Sequence, residues 1–170
     1  SGTHCAYLAG QDYVPSIPDI TPEVAADKAA TIHVRKLGSA DDLYSLDLGK
    51  VADIRSIAIS DDGSNLSLLR DSSIEIYRDG TLMFKDNIFE PQQAQWIAGA
   101  KLIYSSVTGG IWQYDATTKQ AHALFAADYP SPSSYQVFGE TLVFSAFAKG
   151  AKVPDMYSLV IDDRSSNNSV

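Results

Sequence analysis

Between Ile54 and Asp86, hydrophobic and polar residues alternate with period two, the repeat of a half-buried strand and not the 3.6 of a helix. Arg55-Ser56-Ile57-Ala58-Ile59 alternates and stops at Asp61-Asp62-Gly63-Ser64, where Gly tolerates positive φ and Asp can bond its own backbone. Leu66-Ser67-Leu68-Leu69 halts at Arg70-Asp71-Ser72, Ile74-Glu75-Ile76-Tyr77 closes at Asp79-Gly80, and Thr81-Leu82-Met83-Phe84 closes at Asp86-Asn87. Four strands joined by tight turns predict an antiparallel meander.

The unit recurs. Ala94-Gln95-Trp96-Ile97, Lys101-Leu102-Ile103-Tyr104-Ser105, Ile111-Trp112-Gln113-Tyr114 and Ala121-His122-Ala123-Leu124-Phe125 form a second copy. A third reads Ser134-Tyr135-Gln136-Val137-Phe138, Thr141-Leu142-Val143-Phe144-Ser145 and Met156-Tyr157-Ser158-Leu159-Val160, without a fourth strand. Second strands begin at Leu66, Leu102 and Leu142, and third strands at Ile74, Ile111 and Met156. A repeat of about 40 residues built from short strands predicts blades of a propeller. The fold class expected is therefore all-β, a β-propeller-like array of four-stranded antiparallel blades forming a partial propeller. Residues 1–52 make an irregular first blade with a Pro-rich insertion at 11–30, followed by blades at 53–87, 92–126 and 133–163, the last incomplete, and a polar tail at 164–170. In the first blade, Ile32-His33-Val34-Arg35 reads as the second strand and Leu43-Tyr44-Ser45-Leu46-Asp47 as the third. Within the insertion, Thr21 as N-cap and Pro22 at the first helical position predict a short helix over 21–30.

These residues resemble the bacterial TolB-like and related WD40-like propeller repeats. Ser60-Asp61-Asp62-Gly63 before an apolar strand matches one half of that repeat; Leu43-Tyr44-Ser45-Leu46-Asp47 and Ile111-Trp112-Gln113-Tyr114-Asp115 match the aliphatic-aromatic half. The blade at 53–87 departs from it, with Glu75 at the aromatic position. The resemblance implies an extracytoplasmic location (periplasmic, cell-surface or secreted) and contact with proteins.

Composition narrows the function. A net charge of -8 with 13 scattered basic residues disfavours nucleic acid, which needs clustered cations to displace counterions. No run approaches the roughly 20 apolar residues of a membrane span. Cys5 is the sole cysteine, so an intrachain disulfide is excluded. The opening Ser1-Gly2-Thr3, without Met, suggests a processed or excised piece.

Candidate chemistry is sparse. His4, Cys5, His33 and His122 do not stand at metal-ligand spacing, and neighbours on a strand point to opposite faces, so no metal or other cofactor is expected. No G-x-S-x-G elbow is present, and the pairs Asp41-Asp42, Asp61-Asp62 and Asp162-Asp163 fall at strand ends, where Asp serves turns. Trp96, Trp112, Tyr44, Tyr104, Tyr114, Phe144 and Tyr157 are expected to pack between blades. Tyr13, Tyr129 and Tyr135, beside Pro-containing loops, are the candidates for an exposed interaction surface. The function expected is a non-catalytic protein-binding or scaffolding segment, its partner another protein or the remainder of a larger propeller chain. Two other readings stand beside it: the substrate-gating propeller of a prolyl-oligopeptidase-like hydrolase, and a carbohydrate-active propeller.

Overall fold

The computed structural model describes residues 3–10, 29–50, 53–88, 90–97, 100–107, 110–125, 135–146 and 152–161. Every regular element among them is a strand, and the strands form four antiparallel sheets in which chain neighbours are sheet neighbours. The first sheet holds β1 (His4–Gly10), β2 (Ala29–Lys36) and β3 (Asp42–Lys50). The second holds β4 (Ile54–Ile59), β5 (Asn65–Arg70), β6 (Ile74–Arg78) and β7 (Thr81–Asp86), and the third β8 (Pro91–Ile97), β9 (Lys101–Ser106), β10 (Ile111–Asp115) and β11 (Gln120–Phe125). The fourth holds β12 (Tyr135–Phe138), β13 (Thr141–Ala146) and β14 (Asp155–Val160).

The helix expected over 21–30 falls largely outside the described residues. Its last two positions correct the expectation: Ala29 and Ala30 begin β2, where Ala30 is paired with Gly10 on one side and Leu48 on the other. Pairing on both sides answers backbone groups that a short helix would leave open at its ends.

Three apolar layers lie between successive sheets. Ile32, Val34 and Leu48 of the first meet Leu66, Leu68 and Tyr77 of the second. Leu69, Ile74 and Ile76 on the other face of the second sheet meet Leu102, Tyr104 and Tyr114. Ile103 and Ile111 meet Tyr135, Leu142 and Phe144 of the fourth. The seven aromatics expected between blades all take part in these layers. Burial along the strands follows from the stacking. In the middle sheets β5, β6 and β9 are buried on both faces, whereas in the fourth sheet β13 alternates throughout and β14 from Met156 onward.

The direction of β1 identifies the strands of the first sheet. His4, at the start of β1, donates from Nδ1 to the carbonyl of Asp61 at 2.7 Å, in the turn that ends β4, and Thr3 Oγ1 donates to the same oxygen at 3.1 Å. β1 therefore begins where β4 ends and runs antiparallel to it, parallel to β5. The turn from β2 to β3 lies at the same end, tied by the Leu37 amide to the Thr3 carbonyl at 2.8 Å. By direction β1, β2 and β3 match the second, third and fourth strands of the complete sheets. This corrects the strand order expected from sequence: Leu43–Asp47 occupies the fourth-strand position, and its side-chain alternation alone did not distinguish it from a third strand. The fourth sheet, by contrast, has strands one to three among the described residues.

Candidate interaction surfaces

Register places the repeats in strict correspondence. Leu69 opposite Ile74, Ser105 opposite Ile111 and Ser145 opposite Met156 are equivalent pairs in the second, third and fourth sheets. One step along, Leu68–Glu75, Tyr104–Trp112 and Phe144–Tyr157 correspond. The two aromatic pairs stack, with ring centroids 5.7 and 5.6 Å apart. Glu75 takes the aromatic place in the second sheet and is held by Lys85 Nζ at 2.8 Å, Arg70 Nε at 2.9 Å and the Tyr77 hydroxyl at 2.9 Å. Burial by itself would raise its carboxyl; the bonds from Lys85, Arg70 and Tyr77 outweigh it and keep the group below its ordinary value. The charge is thus a satisfied structural group. Arg70 also reaches Asp53 at 2.6 Å, tying the link between the first two sheets.

The Ser60-Asp61-Asp62-Gly63 motif builds a turn that also joins two sheets. Ser60 Oγ donates to Asp62 at 2.6 Å and accepts from the Asn65 amide at 2.9 Å. Gly63 has φ +78, and a Cβ there would stand 2.9 Å from the His4 ring. Only Gly lets the turn approach β1 so closely.

The outward face of the first sheet is polar. Asp42 lies 2.6 Å from His33 Nδ1 and accepts from Arg35 at 2.7 Å, and these two partners, His33 first, hold its carboxyl below the usual range. Tyr7 stacks on His33 at 5.3 Å with the Arg35 guanidinium 5.5 Å from its ring centre. Thr31 donates to Asp47 at 2.8 Å.

The outward face of the fourth sheet carries an apolar patch set among Gln136, Thr141, Ser145 and Ser158. Phe138, Met156 and Val160 are exposed, Met156 at 71%, and Val143 is half-buried among them. A cleft of about 480 Å³ opens beside Val143 and Met156, with Gln93, Gln136 and Ser145 on its walls.

The aromatics singled out in the sequence do not form this surface. Tyr13 and Tyr129 lie outside the described residues. Tyr135 is corrected: it is 2% exposed, its hydroxyl donates to the Ile103 carbonyl at 2.7 Å, and burial pushes its phenol well above the ordinary value. It sits on the inward-facing register of β12, where alternation directs it to the third sheet. Among the described residues no group of three metal-ligating side chains comes together. In the sequence Met156 reads only as the start of a third strand, so this apolar patch is not among the surfaces the sequence singles out. The equivalence of Met156 to Ile74 and Ile111 was the available signal.

No protein-family model matches the chain, and no curated protein matches it in sequence. Solved structures do. The β-propeller domain of the Trilobed protease from Pyrococcus furiosus aligns over 93% of this chain with a TM-score of 0.58 at 15% identity. The fold is that of a β-propeller segment. The WD40 repeats of RRP9 align over 90% of the chain with a TM-score of 0.54 at 18% identity, and U3-55K over 90% with 0.54 at 16%. The chain spans 51 to 54% of the length of these structures, about half of each.

Proposed function

We propose that the chain is a non-catalytic binding or scaffolding segment of a larger propeller protein of TolB-like type, working in a bacterial envelope or in a secreted protein. The carrying observation is the exposed apolar patch of the fourth sheet, a surface suited to cover by further protein, either the remainder of a larger propeller chain or a separate partner. The acidic balance supports a protein partner over nucleic acid, and no cofactor enters the reading. A second reading, the gating propeller of a hydrolase, has one specific observation in its favour, the likeness to the propeller domain of a protease.

Fractionation and cross-linking of the tagged gene product in its organism of origin test this. Recovery from an extracytoplasmic fraction, cross-linked to another protein and inactive on peptide substrates, is the expected result. A purely cytoplasmic product with no protein cross-links would overturn the first reading. Peptide hydrolysis by the same polypeptide would select the second.

A further inference from the structure

We propose that the outward face of the fourth sheet is the seat of one more antiparallel sheet of the same kind, and that the outward face of the first sheet receives none. This deepens the reading of the chain as part of a larger propeller-like protein and rests on it, with the array of sheets open at the first one and not closed into a ring.

Each sheet turns one face to its predecessor and the other to its successor. On the successor face of the second sheet stand Leu69 and Ile74, and on that of the third Ser105 and Ile111, all buried, with both isoleucines at 0% exposure. The equivalent of those isoleucines in the fourth sheet is Met156, 71% exposed. The equivalent of Ile103, also at 0%, is Val143. The fourth sheet thus repeats the apolar chemistry that elsewhere is covered by the next sheet. This continuity with the two preceding interfaces names the occupant. Its own facing strand should carry Leu followed two residues later by a large apolar side chain, as Leu66 and Leu68, Leu102 and Tyr104, and Leu142 and Phe144 do. That the chain covers only about half of the propellers it resembles leaves room for such a sheet.

The first sheet ends the array in the opposite way. Its outward positions hold Tyr7, His33, Arg35 and Asp42, bonded to one another and partly open to water. Stacked repeats end in a polar outer face where no neighbour follows. A second copy offering this polar face to Met156 would set ionic groups against an apolar patch.

Thiol reactivity in a Cys5→Ser background tests the proposal, with Met156→Cys and Ser45→Cys compared in the 170-residue chain and in the intact gene product. Both thiols should react freely in the 170-residue chain. In the intact product Met156→Cys should slow by at least about tenfold, because a covered thiol reacts only after local opening, while Ser45→Cys stays fast. In parallel, Met156→Asp should lower the Tm of the intact product and leave that of the 170-residue chain unchanged. Equal reactivity of Met156→Cys in both forms overturns the proposal, as does protection of Ser45→Cys. Protection that grows with the concentration of the 170-residue chain assigns the face to a second copy and overturns it too. Protection of Met156→Cys in a cytoplasmic product without protein cross-links would leave this inference standing while the functional reading falls.

Discussion

The outward faces of the first and fourth sheets, neither stacked on another described sheet, are furnished in opposite ways. On the first, Asp42 gathers His33 and Arg35, and Tyr7 lies across them, so the polar groups answer one another and water does the rest. On the fourth, Phe138, Met156 and Val160 project from alternate positions with nothing over them. Both sheets bury apolar side chains on their inner faces, so the contrast between them lies in the side chains of the outer faces. A blade interior needs apolar residues on both faces, and only one end of this chain keeps them there.

The largest test of that contrast compares equivalent positions. Ile111→Ala removes a side chain enclosed between the third and fourth sheets and should cost about 2–5 kcal/mol in urea unfolding. Met156→Ala, at the matching exposed position, should stay within about 0.5 kcal/mol. Similar losses at both sites would erase the distinction between covered and open faces.

The two ionic clusters sharpen it next. Glu75→Gln strips Arg70 and Lys85 of a buried carboxylate and should cost about 1–3 kcal/mol at neutral pH. Because the folded-state value of Glu75 is lowered, its contribution is complete above the unfolded value of 4.5 and disappears as pH falls through the folded one. The gap between native chain and variant should therefore close in acid. A gap that widened on acidification would show the opposite shift.

A smaller effect belongs to the turn that docks on β1. Gly63→Ala meets both an unfavourable positive φ and the His4 ring, and should lower stability by about 1–2 kcal/mol. Adding His4→Ala should recover the part due to the ring, leaving the backbone part and the contact with Leu43 at 3.0 Å. Full recovery would show that φ strain is negligible there. The smallest effect is expected for Asp42→Asn, whose partners are solvent-accessible. Its Tm should be indistinguishable from that of the native chain, and a large drop would mark the first sheet's outer face as covered.

Much of the architecture was legible along the chain because strands and tight turns are local. Period two marked β4 to β7, Asp79-Gly80 and Asp61-Asp62-Gly63 marked turns, and the recurrence of Leu66 at Leu102 and Leu142 marked the repeat. The interaction surface was less legible. Tyr135 reads as a loop-side aromatic, yet its strand phase turns it inward onto the Ile103 carbonyl. Glu75 reads as a lapse in an aromatic pattern, yet three donors from β5, β6 and β7 surround it.

Where most strands lie, how they repeat and the acidic balance of the chain are written in local residue patterns, because strands and tight turns depend on near neighbours. Tertiary structure alone decided which strand of a blade each one is, and which apolar side chains are covered. Ile74, Ile111 and Met156 are interchangeable in a pattern of alternation. They differ in burial because exposure depends on the sheet stacked above, and that neighbour is brought by chain dozens of residues away.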